Sequence, residues 1–271
     1  MAAAATPDAA AAQSLGLALL NANGLFTRDG ELNPCWHALS HDLALRQFRV
    51  LVLTEPKLQR GQELPSSGFF RVLSAPADEL REGRRDCAIL ADPTLDAWSV
   101  PSRHADVCGA CCTTSGGMAL LVAFYAPDAS RGQPARAAFW VRLQQQVQEW
   151  TDRLSAVHVV LMGDANVRCH PRTTMGSMHS DADVALACVE ALGLRVLNPV
   201  GVPTHNRGGV LDWVLCSADV VAEQAHVHNE GCLGRCPLDR SCWPALDSDH
   251  RLDTAVVSLT PGSVVQPPAR R

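Results

Sequence analysis

Short apolar stretches recur along the whole chain and are separated by polar segments that contain Gly, Pro or Asp. Runs of this length that are rich in leucine and β-branched residues, with turn residues at their ends, predict β-strands. The predicted strands are 15–23, 48–55, 87–93, 118–127, 158–164, 210–217 and 252–259. Because they come from both halves of the chain, we expect sheets that bring distant segments together.

Three of the intervening segments have helical patterns, at 34–47, 134–154 and 181–192. Pro34 favours a helix start, and Gly193 favours a helix end. The middle segment repeats large apolar side chains on one helical face. These are Phe139, Leu143, Val147, Trp150 and Leu154. Helices interspersed with strands predict a layered α/β domain with sheets inside and helices outside.

We expect this domain to span 14–260. The alanine-rich segment 1–13 has no basic region and is interrupted by Pro7. It is therefore predicted to be a disordered tail, although the apolar run that follows it leaves a signal peptide as the alternative. Residues 261–271 are predicted to be a second tail or the beginning of a linker.

Composition narrows the function classes. The chain has 271 residues, of which 47% are hydrophobic, enough for a sizeable core. No apolar run is long enough for a membrane-spanning helix. A net charge of −5, with Lys57 as the only lysine, argues against binding nucleic acid by bulk electrostatics. It is compatible with an enzyme whose acidic site binds a divalent cation.

The eleven cysteines are an odd number and are spread along the chain, which predicts a reducing, intracellular setting. Two clusters raise the alternative of structural zinc: "CGACC" at 108–112, and Cys232, Cys236 and Cys242 with His228 nearby. Neither repeats the paired CxxC spacing of zinc sites. We therefore predict ordinary thiols.

Polar side chains follow two of the predicted strands in pairs two residues apart: Asn21 with Asn23, and Asp164 with Asn166. Residues i and i+2 of a strand point to the same side, so each pair is expected to face one way. Singly, such residues are usually turn or capping residues.

Further polar residues lie at or within other apolar stretches: Glu55, Tyr125, Asp212, Asp249 and His250. Taken singly, Tyr125 is explained as a core aromatic residue, and His250 as a surface histidine. Asp212 is harder to explain, because a carboxylate buried in "VLDWVL" needs a partner. Taken together, the set favours a ligand site at the carboxyl ends of the strands.

Six of these stretches, "NANGL", "LTEPK", "FYAP", "GDAN", "LDW" and "SDH", occur in an order that covers about 15–260. In this order they resemble the motifs of the endonuclease/exonuclease/phosphatase superfamily of magnesium-dependent phosphodiesterases. The resemblance implies an α/β four-layered sandwich, in which two facing mixed β-sheets are flanked by helices.

The resemblance also implies the roles of the site residues. Glu55 and Asp249, with Asn23 nearby, would bind Mg²⁺, with Mn²⁺ as an alternative. Asn23 is neutral where some relatives have aspartate. Ala165 replaces a more common phenylalanine, and we expect it to point away from the site into packing.

The catalytic roles are implied in the same way. Asp164 would orient and deprotonate the attacking water, which Asn21 positions. Asn166 and His250 would donate to non-bridging phosphate oxygens. Asp212 would fix the tautomer of His250 and favour its charged form. Tyr125 would contact the phosphate or assist the leaving group.

The tyrosine of "FYAP" and the segment "GVPTHNRGGVLDW" resemble abasic-site endonucleases and the endonuclease domains of non-LTR retrotransposons. They predict a DNA endonuclease that leaves a 3′ hydroxyl. The retrotransposon type would also imply a nuclear location and a reverse transcriptase domain outside this chain. The alternatives are a phosphatase or phosphodiesterase acting on a small molecule, lipid or RNA, and a catalytically silent interaction domain. Segments 59–86, 99–117 and 228–247 are predicted to be the loops that determine the substrate, with Trp243 in a packing role.

Overall fold

The computed structural model describes residues 14–26, 30–33, 35–45, 47–58, 63–64, 66–75, 87–154, 158–167, 180–205, 209–228, 248 and 250–259. The predicted tails, 1–13 and 261–271, lie outside the described residues, and so do Asp249, Trp243 and the cysteine cluster at 232–242. The bounds of the domain therefore stay a prediction.

The strands are β1 (Ser14–Asn21), β2 (Phe48–Thr54), β3 (Arg71–Ser74), β4 (Cys87–Ala91), β5 (Ala97–Val100), β6 (Val107–Thr114), β7 (Gly117–Tyr125), β8 (His158–Asp164), β9 (Leu194–Val196), β10 (Asp212–Ser217), β11 (Val220–His228) and β12 (Leu252–Leu259). They form two six-stranded sheets in the orders β11-β12-β1-β2-β4-β3 and β5-β6-β7-β8-β10-β9. One neighbouring pair in each sheet, β1 with β2 and β7 with β8, is parallel. The other pairs are antiparallel, so both sheets are mixed as the sequence predicts.

The helices are α1 (Cys35–Leu45), α2 (Gln133–Leu154) and α3 (Ser180–Ala191), each within two residues of its prediction. α2 buries Phe139, Leu143 and Trp150 from its predicted apolar face. Gly193 follows α3 with a φ of 63° and donates its backbone N–H to Glu190 O at 2.9 Å. This is the left-handed helix end that glycine favours.

Three apolar layers separate the elements. One lies between the two sheets, a second between one sheet and helices α2 and α3, and a third between the other sheet and α1. The four-layered sandwich is therefore confirmed. No helix among the described residues is long and apolar enough to cross a membrane.

The sequence pattern missed five strands: β3, β5, β6, β9 and β11. The prediction of 99–117 as a substrate loop is wrong, because β6 runs through it and pairs with β7 over its full length. The composition of β6, VCGACCTT, is poor in large β-branched residues, and pairing outweighs this weak local propensity.

The cysteines of "CGACC" lie in β6, within the inter-sheet and outer apolar layers. Cys108, Cys111 and Cys112 are buried and free in β6. Burial raises the pKa of the Cys112 thiol to about 12.

Candidate active site

The strand period explains why polar residues lie together at one end of the inter-sheet layer. Leu17 and Leu19 of β1 face this layer, and Asn21 is the next residue on the same face. Met162 of β8 likewise faces the layer, and Asp164 follows it two positions on. Asn21 and Asp164 therefore lie at the carboxyl ends of strand faces that are otherwise apolar.

Pairing aligns three of the predicted residues on adjacent strands. Asp164 is directly opposite Tyr125 of β7 on one side and Asp212 of β10 on the other. All three are at most 5% exposed. Ala165, the next residue, is 1% exposed and packs in the outer layer beneath α2 and α3, as expected from the sequence.

Asn21 and Asp164, which are 143 positions apart in the chain, are joined by a hydrogen bond. Asn21 Nδ2 donates to Asp164 Oδ2 at 3.0 Å, and its amide oxygen accepts the backbone N–H of Asn23 at 3.0 Å. This second bond fixes which end of the amide faces Asp164. The other carboxylate oxygen, Asp164 Oδ1, accepts the backbone N–H of Asn166 at 2.8 Å. Asp164 is thus held from both sides.

His250 lies against the same pair. Its Nδ1 donates to Asp212 Oδ2 at 2.7 Å, while its Nε2 is 3.5 Å from Asn21 Nδ2 and 3.9 Å from Asp164 Oδ2. Because a carboxylate accepts, the bond to Asp212 places a proton on Nδ1, and Nε2 faces Asp164. Ser248 joins the two segments by donating to Asn21 O at 2.5 Å and accepting the backbone N–H of His250.

Asp212 is supported by a residue of the predicted Pro-Thr segment. Thr204 Oγ1 accepts the backbone N–H groups of Leu211 and Asp212 at 2.9 and 3.0 Å. The neighbouring His205 packs its ring edge-to-face on His250, with centroids 4.8 Å apart. The role of "PTH" is therefore to hold the buried aspartate and its histidine.

Tyr125, Glu55 and Asn166 form a second connected group. The Tyr125 hydroxyl donates to Glu55 Oε1. The Asn166 side chain donates to the carbonyl oxygen of Ala126 at 2.7 Å, next to Tyr125. Burial and the Glu55 charge raise the pKa of Tyr125 far above its usual range, so this residue is a phenol donor and not a phenolate.

Glu55 and Asn23 face a common cation. Lys57 donates to Asn23 Oδ1, and its ammonium nitrogen is 3.7 Å from Glu55 Oε2. The two side chains thus present oxygen atoms to one positive charge, and such hard oxygen donors suit Mg²⁺. Their chemistry fits the predicted metal site; the third predicted ligand, Asp249, lies outside the described residues.

Four residues of the site have a backbone conformation that L-amino acids rarely adopt. The φ angles of Asn23, Glu55, Lys57 and Asn166 lie between 45° and 54°. Each follows a strand end, where the chain turns to aim its side chain at the centre. Such strain tends to be retained at functional sites.

Burial sets the electrostatics of Asp164. Its burial and the nearby charge of Asp212 raise its pKa well above its usual range, and His250 acts in the opposite direction. A carboxyl group shifted in this way is suited to act as a base near neutral pH.

The structure brings together eight of the residues singled out in the sequence: Asn21, Asn23, Glu55, Tyr125, Asp164, Asn166, Asp212 and His250. The ligand atoms of Asp164, Asp212 and His250 all lie within 4.8 Å of one another, a spacing that would allow one cation between them. The His250 ring itself lies between the two carboxylates.

Comparisons with known proteins agree with this geometry. The model of the endonuclease/exonuclease/phosphatase family matches residues 18–250, and the chain belongs to this family. A search of curated proteins finds no match.

Among solved structures, the chain is similar to the endonuclease domain of TRAS1, a telomere-specific non-LTR retrotransposon, with 18% identity, a TM-score of 0.64 and coverage of 91% of this chain and 99% of that one. It is also similar to an AP endonuclease from Archaeoglobus fulgidus, with 18% identity, a TM-score of 0.58 and coverage of 89% and 98%. A third is the 3′ phosphatase NExo from Neisseria bound to product DNA hairpin, with 16% identity, a TM-score of 0.60 and coverage of 89% and 98%. At these identities the likeness establishes the fold.

Proposed function

We propose that the protein is a magnesium-dependent phosphodiesterase and, more specifically, a DNA endonuclease that leaves a 3′ hydroxyl. The observation that carries the proposal is the convergence of Asn21, Asp164, Asp212 and His250, beside the oxygen donors of Glu55 and Asn23. Hydrolysis of a phosphodiester requires a base for water and positive charge for the phosphate. Asp164 would be the base, and the oxygen atoms of Glu55 and Asn23 would bind the cation.

Asp164 is the proposed base. Its carboxylate would orient the attacking water and accept its proton, a role that an amide cannot take. Asn21 and the backbone of Asn166 hold the carboxylate in place through one hydrogen bond to each oxygen. The water can therefore be positioned without reorganising the base.

His250 is the proposed donor to a non-bridging phosphate oxygen. Its Nδ1 proton is bound by Asp212, so an imidazolium would present Nε2–H to the substrate. Because Nε2 also lies 3.9 Å from Asp164 Oδ2, the phosphate and the water would be held on neighbouring atoms.

Glu55, Asn23 and Asp249 are the proposed metal ligands. A bound Mg²⁺ would supply Lewis-acid stabilisation of the phosphate and leaving oxygens. Lys57, which contacts both Glu55 and Asn23, would neutralise the carboxylate when the ion is absent. Tyr125 would help to orient Glu55 and contact the phosphate, together with Asn166.

The DNA assignment is supported by the "FYAP" and "PTH" segments and by the likeness to two endonucleases. The retrotransposon type is our first choice and abasic-site repair our second, with a reverse transcriptase domain outside this chain and a nuclear location as extensions of the first. The net charge of −5 favours the runner-up, a phosphatase or phosphodiesterase on a small molecule, lipid or RNA.

Nicking of supercoiled plasmid with Mg²⁺ tests the proposal. We expect nicking by the wild type and a loss of at least about 10³-fold in Asp164→Asn, since this variant keeps the shape but cannot accept a proton. End-group analysis of the product is expected to find a 3′ hydroxyl. A wild type that cleaves no DNA but hydrolyses a small phosphoester would overturn the DNA assignment and favour the runner-up.

Intact and abasic duplex oligonucleotides separate the two DNA types. Similar rates on both are expected for the retrotransposon type. A strong preference for the abasic duplex would replace our first choice with the second.

Glu55→Gln tests the metal site. The apparent affinity for Mg²⁺ is expected to fall about tenfold or more, and activity should recover at higher Mg²⁺ or with Mn²⁺. Asp164→Asn, the matched control, should not recover with any metal concentration. Equal metal dependence of wild type and Glu55→Gln would remove Glu55 from the ligand set.

A further inference from the structure

A second carboxylate lies behind the Asp212–His250 pair. Asp253 is 2% exposed in β12, between Leu19 of β1 and Val227 of β11. It faces the inter-sheet layer, as do Ala255 and Val257 further along the same strand. An acidic side chain at such a position requires specific partners.

Asn198 is one partner, and it also holds β10. Its Nδ2 donates to Asp253 Oδ2 at 3.2 Å and to the backbone oxygen of Asp212 at 3.0 Å. Its Oδ1 accepts the backbone N–H of Val214 at 2.8 Å. The amide thus continues the pairing of β9 along β10 as far as Asp212, and Asp253 fixes the orientation of that amide.

Among the described residues, the second carboxylate oxygens of Asp212 and Asp253 both lack a donor. Within the described part of the chain, Asp212 Oδ1 and Asp253 Oδ1 are both buried without a hydrogen-bond partner. Burial, followed by the charge of Asp212, raises the pKa of Asp253 well above its usual range, while Asn198, His250 and Arg251 act against the rise. A neutral Asp253 has an O–H that can donate to Asp212 Oδ1, whereas an ionised Asp253 has no proton to donate.

We propose that Asp253 is a positioning residue of the active site. In its neutral form it anchors Asn198 and shares its proton with Asp212, which keeps Asp212 Oδ2 directed at His250 Nδ1. The proposal rests on the proposed function, because its effect on the reaction passes through His250.

Three variants in β12 separate this role from simple packing. Asp253→Asn keeps an acceptor for Asn198 and a donor for Asp212, so kcat should stay within about twofold of wild type and its pH profile should not move. Asp253→Leu removes both functions, and kcat should fall about tenfold or more with little change in KM, since a small misplacement is costly to a positioned group.

Thr254→Val is the matched control. Thr254 is the neighbouring residue, 3% exposed, and its hydroxyl is hydrogen-bonded to His228 away from the site. Its kcat per folded molecule should be unchanged. Asp253→Leu with wild-type kcat per folded molecule would overturn the proposal, and so would Asp253→Asn with a shifted pH profile or a loss as large as that of Asp253→Leu.

An NMR measurement keeps the test independent of activity. The ¹⁵N shifts of the His250 ring report which nitrogen carries the proton and whether Nδ1–H is bonded to Asp212. We expect the wild-type pattern in Asp253→Asn and Thr254→Val, and an altered one in Asp253→Leu or, if that variant does not fold, in Asp253→Ser. An unaltered pattern in Asp253→Leu, or in Asp253→Ser where it replaces that variant, overturns the proposal. A wild type that cleaves no DNA but has the expected ring pattern would refute the nuclease assignment alone.

Discussion

Two buried histidine–aspartate pairs lie near opposite ends of β8 and have different consequences. His158, the first residue of β8, is fully buried and forms an ion pair with Asp219. His250, paired with Asp212, lies beside Asp164, the last residue of the same strand. The two pairs differ in what lies opposite Nε2, the ring nitrogen that does not face the aspartate.

At the His158 end, the second nitrogen is also bound within the fold. His158 Nε2 donates to the carbonyl oxygen of Gly116 at 3.1 Å, and Nδ1 lies against the Asp219 carboxylate. Gly116 in turn lies against β12, where an added Cβ would be 2.1 Å from Leu259 O. This pair therefore ties the β6–β7 turn to β8 and has no open side for a substrate.

At the His250 end, the second nitrogen faces functional groups. His250 Nε2 is directed at Asn21 and Asp164, and its ring is 8% exposed. The same residue pair thus has a structural role where both nitrogens are bound by the fold. Where one nitrogen faces the candidate site, we propose a chemical role.

The largest expected effect is on the rate. His250→Asn should lower kcat for plasmid nicking by about 10²–10³-fold, because a donor to the developing phosphate charge is lost. The urea midpoint should also fall, because the buried Asp212 carboxylate loses its partner, so kcat is compared per folded molecule. A decrease below tenfold would mean that His250 is not the phosphate donor.

His158→Asn should lower stability without lowering the rate. Breaking this buried pair leaves the Asp219 carboxylate without its partner and should cost about 3 kcal/mol of unfolding free energy, measured by urea denaturation. The value of kcat per folded molecule should equal that of wild type. If His158→Asn lowers kcat without lowering stability, the distinction between the two pairs fails.

A smaller effect concerns pH at the functional end. Burial and Asp212 raise the pKa of Asp164, so the folded protein retains a proton that the unfolded chain loses above about pH 4. The unfolding free energy should therefore fall as pH rises from this value through the folded-state pKa, by at most about 1.4 kcal/mol per unit.

Urea denaturation without divalent ions at pH 5 and pH 8 measures this dependence. Asp164→Asn lacks the titrating group and should lose less stability between the two values than wild type. The kcat of wild type should rise over the same interval as the base ionises. Equal pH slopes for wild type and Asp164→Asn would contradict the raised pKa.

Local pattern was sufficient for much of the fold. The strand containing Asp164 and the three helices follow from apolar period and end residues, and the outward packing of Ala165 follows from the two-residue period. β6 could not be predicted in this way, because its glycine and alanine have weak strand propensity and it is stabilised by pairing with β7.

The sequence by itself determined the order of the motifs and the face on which each polar residue lies, because both depend on neighbouring residues. Only the tertiary structure decided which of them touch: Asn21 and His250 are 229 positions apart. It also decided the contacts of residues whose local sequence is ordinary, such as Asn198 and Asp253. The reason is physical: a hydrogen bond depends on a distance of about 3 Å, and packing of the two sheets sets that distance.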